Sequence, residues 1–155
     1  MYLKAKLLKL DNSSELNELV RQASGLFIYA ATAVKYLTPH RSITVREQTE
    51  MLENLVSKSH HPASTNNATF LIDALYRQIM VDAFSKFKDG FLTRRLRILY
   101  TFLCTAESTS TSIAAALSEG YDDVAMAVVE DLRAVLYTQG DHVYWYHTSL
   151  PELHV

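Results

Sequence analysis

The sequence is short of several features that would narrow its chemistry. It holds one cysteine, Cys104, in 155 residues. A single thiol excludes an internal disulfide framework and fits a reducing compartment. Cys104 stands in an apolar helical run, which predicts a buried structural thiol rather than a nucleophile. There are four glycines, Gly25, Gly90, Gly120 and Gly140, and none is followed by lysine. A G-x-x-x-x-G-K-[ST] phosphate loop is therefore missing from the sequence. No predicted strand ends in paired acidic residues, so a magnesium-holding Walker B element is missing too. No run of about 18 apolar residues is present, so no membrane-spanning helix is expected. The first ten residues alternate lysine with leucine and lack both an apolar core and a small-residue cleavage site. A signal peptide is not expected, and a cytoplasmic protein is. Charge of one sign is also lacking. Fifteen basic residues stand against seventeen acidic ones, a formal charge of −2. Nothing in that balance attracts nucleic acid or an anionic membrane.

What is present is apolar and periodic. Hydrophobic residues make up 48% of the chain and charged residues 21%, too apolar for a disordered segment and enough for one or two small domains. Residues 1–10 read as the tail of a helix with Leu3, Leu7 and Leu10 on one stripe. The run Asp11 to Ser14 breaks it and caps a helix carrying Leu16, Leu19, Val20 and Ala23. Gly25 interrupts the pattern, and Leu26 to Leu37 resumes apolar almost all round, the mark of a helix buried on every side. Pro39 ends it. A helix from about Thr44 to Val56 carries Val45, Met51, Leu52 and Leu55. Residues 57–67 are a polar loop. A strong helix then runs from Ala68 to about Lys86, with Leu71, Leu75 and Ile79 at four-residue steps. A turn over residues 86–90 is the expected domain boundary, giving 1–89 and 90–155.

Beyond that turn Leu92, Leu96, Leu99 and Leu103 predict a four-step helical stripe, leaving Arg94, Arg95 and Arg97 to the solvent. Residues 107–112 form a polar break with several N-caps. A short helix, Ile113 to Leu117, precedes a longer one whose Val124, Val128, Leu132 and Leu136 share a face. The end of the chain reads as a hairpin. Val135 to Thr138 and Val143 to Tyr146 are β-rich, and Gln139, Gly140 and Asp141 are turn residues. Val143 and Trp145 fall on one face, Tyr144 and Tyr146 on the other. His147 sits just past the second strand, where an imidazole can cap local backbone or donate to an anion. The fold class expected is mainly α: a helical bundle followed by a winged helix-turn-helix with a small C-terminal β-hairpin.

Other candidate chemistry is thin. His60 and His61 have no second ligand pair at a suitable spacing, so no metal site is expected. Three arginines are a weak binding footprint. Ser149, His147 and Asp141 lack a nucleophile elbow and an oxyanion loop, so no catalytic residues are expected. A DNA-binding winged helix is the alternative reading. The would-be recognition helix opposes it, with Asp122, Asp123, Glu130 and Asp131 against Arg133 alone.

Four stretches together carry a resemblance: residues 19–33 (LVRQASGLFIYAATA), 71–79 (LIDALYRQI), 95–103 (RLRILYTFL), and Leu132 to Tyr137 continued through Trp145 to Ser149. In this order they resemble the helical and winged-helix C-terminal part of fungal NACHT-domain STAND NTPases, relatives of the NOD-like receptors, of the kind expanded in mushroom-forming fungi. The likeness begins after the point where the family's P-loop core would stand. It implies a truncated member, either a non-catalytic regulatory or interaction fragment or a gene remnant. By that resemblance His147-Thr-Ser-Leu150 matches the family's H-x-S-F motif, with Leu150 in place of phenylalanine. His147 would then be a sensor of the ADP β-phosphate, and Gly25-Leu26 would belong to the adenine-pocket segment. ADP or ATP is the cofactor of full-length relatives; none is expected in this fragment. The implied partners are proteins, NACHT NTPase cores or related receptors, with no nucleic acid and no membrane.

Overall fold

The computed structural model describes residues 2–7, 10, 13–39, 43–58, 68–105, 109–117 and 121–146. The chain is mainly helical, with a small three-stranded antiparallel sheet near its C-terminus. It forms two compact units, Met1–Gln78 and Ile79–Val155, and the division falls inside one helix.

In the first unit, α1 (Tyr2–Lys6) starts the leucine stripe, and Leu3, Leu7 and Leu10 are all buried. The Ser13 hydroxyl accepts from the Leu16 N–H at 3.0 Å, capping α2 (Ser14–Gln22). Gly25 follows with φ +83°, a left-handed turn that side chains with a Cβ rarely adopt. It lets the chain turn into α3 (Phe27–Leu37). As expected, α3 is buried on most sides. Tyr29, Ala33, Val34, Tyr36 and Leu37 are all enclosed, and Phe27 at its start is not.

A reciprocal capping box starts α4 (Val45–Lys58). The Thr44 N–H donates to Glu47 Oε2 at 2.7 Å, and the Glu47 N–H donates to Thr44 Oγ1 at 3.2 Å. Leu52, Leu55 and Val56 face inward, whereas Val45 is exposed because it lies in the first turn. Gln48 is buried, and its Nε2 donates to the Leu37 carbonyl at 2.7 Å. That bond occupies a carbonyl that the end of α3 leaves without a helical partner. The Lys58 ammonium reaches Gln78 Oε1 at 2.7 Å, tying α4 to α5 (Ala68–Phe84).

The second unit is built from α6 (Asp89–Cys104), β1 (Thr109–Ser110), α7 (Thr111–Leu117), α8 (Asp122–Asp131), β2 (Leu136–Gln139) and β3 (His142–Trp145). The three helices pack on one another, and α8 leads into β2 through a turn at Leu132 to Val135. The sheet order is β1-β3-β2. Leu136 pairs with Trp145 and Gln139 with His142, so two residues, Gly140 and Asp141, close the hairpin. Gly140 carries the positive φ, +67°, that a two-residue turn needs. Val143 is buried, while Tyr137 stacks between Tyr144 and Tyr146 on the opposite face, with ring centres 5.4 and 4.7 Å away.

Several expectations are corrected here. The buried set on α6 is Ile98, Leu99 and Phe102, and Leu96 is exposed. The leucines at 92, 96, 99 and 103 are spaced by four, three and four, but the buried face is centred between Ile98 and Leu99, and at about 100° per residue Leu96 points roughly 110° away from it. Cys104 lies roughly 170° from the centre of that face, which puts it on the surface rather than in the core. Arg95 does not join Arg97 in solvent; its side chain is 14% exposed. The helix α8 ends at Asp131, so Leu136 shares the core with Val128 as a strand residue. The segment read as a polar break contributes β1, which pairs Thr109 with Val143 and Ser110 with His142. It caps as well, since Ser110 Oγ accepts from the Ile113 N–H at 3.2 Å.

Candidate functional site

The residues singled out in the sequence fall in three places. Gly25 and Leu26 lie at the α2–α3 turn, where they line an open cleft of about 340 Å³. Its walls are Tyr2, Leu3, Val20, Ala23, Phe27 and Ala30, with the Tyr2 and Phe27 rings 5.5 Å apart and tilted by 53°. The arrangement follows from the sequence. The positive φ of Gly25 sets the turn, and α3 begins so directly after it that Phe27 is left at the rim. This cleft can hold a flat apolar group by contact. Its lining includes no lysine or arginine.

His147, His60 and His61 lie outside the described residues. His142, on the hairpin, is the one histidine among the described residues. Its Nδ1 shares a 2.8 Å hydrogen bond with Asp141 Oδ1, and both side chains are exposed. Among the described residues no group of three or more histidine, cysteine or carboxylate side chains could hold a metal ion.

The third place is the arginine run at the start of α6, and here the structure differs most from the sequence reading. The Arg95 guanidinium lies over the Phe87 ring at 3.8 Å and donates to Asp131 Oδ2 at 2.8 Å. Lys86 meets the same ring at 5.0 Å and the other oxygen of Asp131 at 3.3 Å. Asp131 thus takes two cations from the end of α8, at 13% side-chain exposure. Beside this cluster is an open cleft of about 510 Å³, lined in part by Lys86, Lys88, Phe91 and Arg94. Arg94 lies 5.7 Å from the Tyr121 ring. The spacing of Phe87, Arg95 and Asp131, eight and thirty-six residues apart, hides the cluster from sequence inspection. The only local signal is the density of cations and phenylalanines between residues 84 and 97.

Comparison with models of known families, with curated proteins and with solved structures found no match. No described helix is long and apolar enough to cross a membrane.

Proposed function

We propose that the chain is a non-catalytic regulatory or interaction module of the NACHT signalling type, and that its second unit is a winged helix-turn-helix. The observation that carries this reading is the sheet. A helix, a two-residue strand, two helices and a hairpin occur in that order, and the sheet closes as β1-β3-β2. A three-helix core with a wing would give this order of elements, which supports the reading.

The DNA-binding alternative gains no support. The helix α8 contains Asp122, Asp123, Glu130 and Asp131 and not one lysine or arginine. A helix of that sign repels the phosphate backbone it would have to approach. Large side chains left in solvent, among them Ile113, Leu117 and Tyr100, instead favour association with protein. The exposed Phe27 and Tyr2 edge of the Gly25-Leu26 cleft adds a second such surface in the first unit.

The test is a sedimentation experiment with the purified chain and a purified NACHT NTPase core loaded with ADP. A complex at micromolar concentration supports the reading. No complex, together with micromolar binding of fluorescent ADP that His147→Ala abolishes, replaces it with a stand-alone nucleotide sensor. Salt-dependent binding of duplex DNA replaces it with the alternative.

A further inference from the structure

The interaction-module reading names no chemistry for a partner of the second unit. We propose that the cleft at the start of α6 binds an acidic peptide segment with an aromatic or large apolar residue beside its carboxylates. The case begins with charge. Four cations, Lys86, Lys88, Arg94 and Arg95, stand around this corner of the unit against two carboxylates, Asp89 and Asp131. Asp131 is taken by Lys86 and Arg95. Lys88 and Arg94 have no carboxylate partner among the described residues. Asp89 on the rim offsets one of these two charges, so the cleft keeps an excess of positive charge.

Apolar surface stands beside that charge. Phe91 is 71% exposed on the cleft wall, and Tyr121, which flanks Arg94, is 68% exposed. Rings this open, next to cations, match a partner that carries both a carboxylate and an apolar side chain. Phe87 forms part of the wall and packs against Arg95 and Lys86.

The openness of the site selects a peptide over a small molecule. Lys86, Lys88, Asp89 and Phe91 are all exposed, whereas small-ligand pockets enclose most of their ligand. A chain segment makes up for shallow burial by spreading its contacts.

The proposal rests on the interaction-module reading for its biological use alone. Binding is measured on the isolated chain, so its failure leaves the sedimentation result standing. The probe is a fluorescein-labelled peptide alternating glutamate with phenylalanine, titrated by anisotropy at low and physiological salt. A saturable rise is expected, weakened roughly tenfold in Lys88→Glu/Arg94→Glu, since each lost rim contact is worth a few-fold and reversal adds repulsion. Phe91→Ser, which keeps the charges, should weaken it severalfold. Helical circular dichroism should be unchanged in both variants, because none of the three side chains is buried. The proposal is overturned by no saturable rise, by undiminished binding in the double variant, or by equal binding of a peptide with lysine in place of glutamate. Tighter binding of a duplex oligonucleotide also overturns it, in favour of nucleic acid.

Discussion

The guanidinium of Arg95 lies 3.8 Å from the centre of the Phe87 ring. It donates at the same time to Asp131. One side chain of α6 therefore holds both the connection that leads into α6 and the last residue of α8. Two largely enclosed charges that hydrogen-bond each other are far costlier to separate than to replace together.

Asp131→Asn is expected to destabilise the second unit by about 1–3 kcal/mol, because Arg95 and Lys86 lose their shared counter-charge. Urea unfolding followed by circular dichroism measures this. The double variant Arg95→Met/Asp131→Leu should recover part of the loss. A single variant as stable as the parent would show that the cluster is only a surface pair.

Thr44→Ala should cost about 1 kcal/mol by removing half of the capping box of α4. The same box gives a pH dependence. The Thr44 backbone N–H and then its hydroxyl hold the Glu47 carboxyl below its ordinary 4.5. A depressed carboxyl stabilises the folded chain above its unfolded value, and the stabilisation is lost as pH falls through the folded one. Glu47→Gln should therefore flatten the stability profile on the acid side. A carbon-13 titration of the Glu47 carboxyl that gives an unshifted midpoint would contradict the box.

Gly25→Ala is expected to cost about 1 kcal/mol, although nothing lies within 4 Å of the added methyl group. The cost comes from φ +83° alone. Thermal unfolding measures it, and Gly25→Asn, which tolerates the left-handed region, should fall between alanine and the parent.

Tyr137→Ala removes the middle ring of the stack on the hairpin and leaves Tyr144 and Tyr146 without their shared neighbour. A loss of about 1 kcal/mol is expected, together with a reduced near-ultraviolet dichroism band. Tyr137→Phe keeps the stacking and should be nearly neutral.

Most helices were legible because their apolar spacing is local. Leu16 and Leu19, or Leu75 and Ile79, meet the core by a periodicity that neighbouring residues alone define. The hairpin was legible because Gly140 sits between two β-rich runs. β1 was hidden because it is two residues long and its partner is Val143. A stretch of serine and threonine reads equally well as a cap, and Ser110 serves as both. Arg95 was misplaced because composition gives arginine to solvent, and only the distant Phe87 and Asp131 make its burial favourable. Of the residues tied to nucleotide by resemblance, Gly25 and Leu26 are placed beside an apolar cleft, and His147 falls outside the described residues.

The pairing of Thr109 with Val143 has a consequence for the order of assembly. On an emerging chain, α6, α7 and α8 complete their own hydrogen bonds as they appear, and β2 and β3 find each other across two residues. The two residues of β1 must wait through the synthesis of everything up to Val143 before their edge is covered. Closing that loop brings little new backbone bonding, so it costs entropy late for a small return. The β1–β3 pairing should therefore be the last part of the sheet to form and the first to open, with amide exchange at Thr109 outrunning that at Tyr137 and Tyr144.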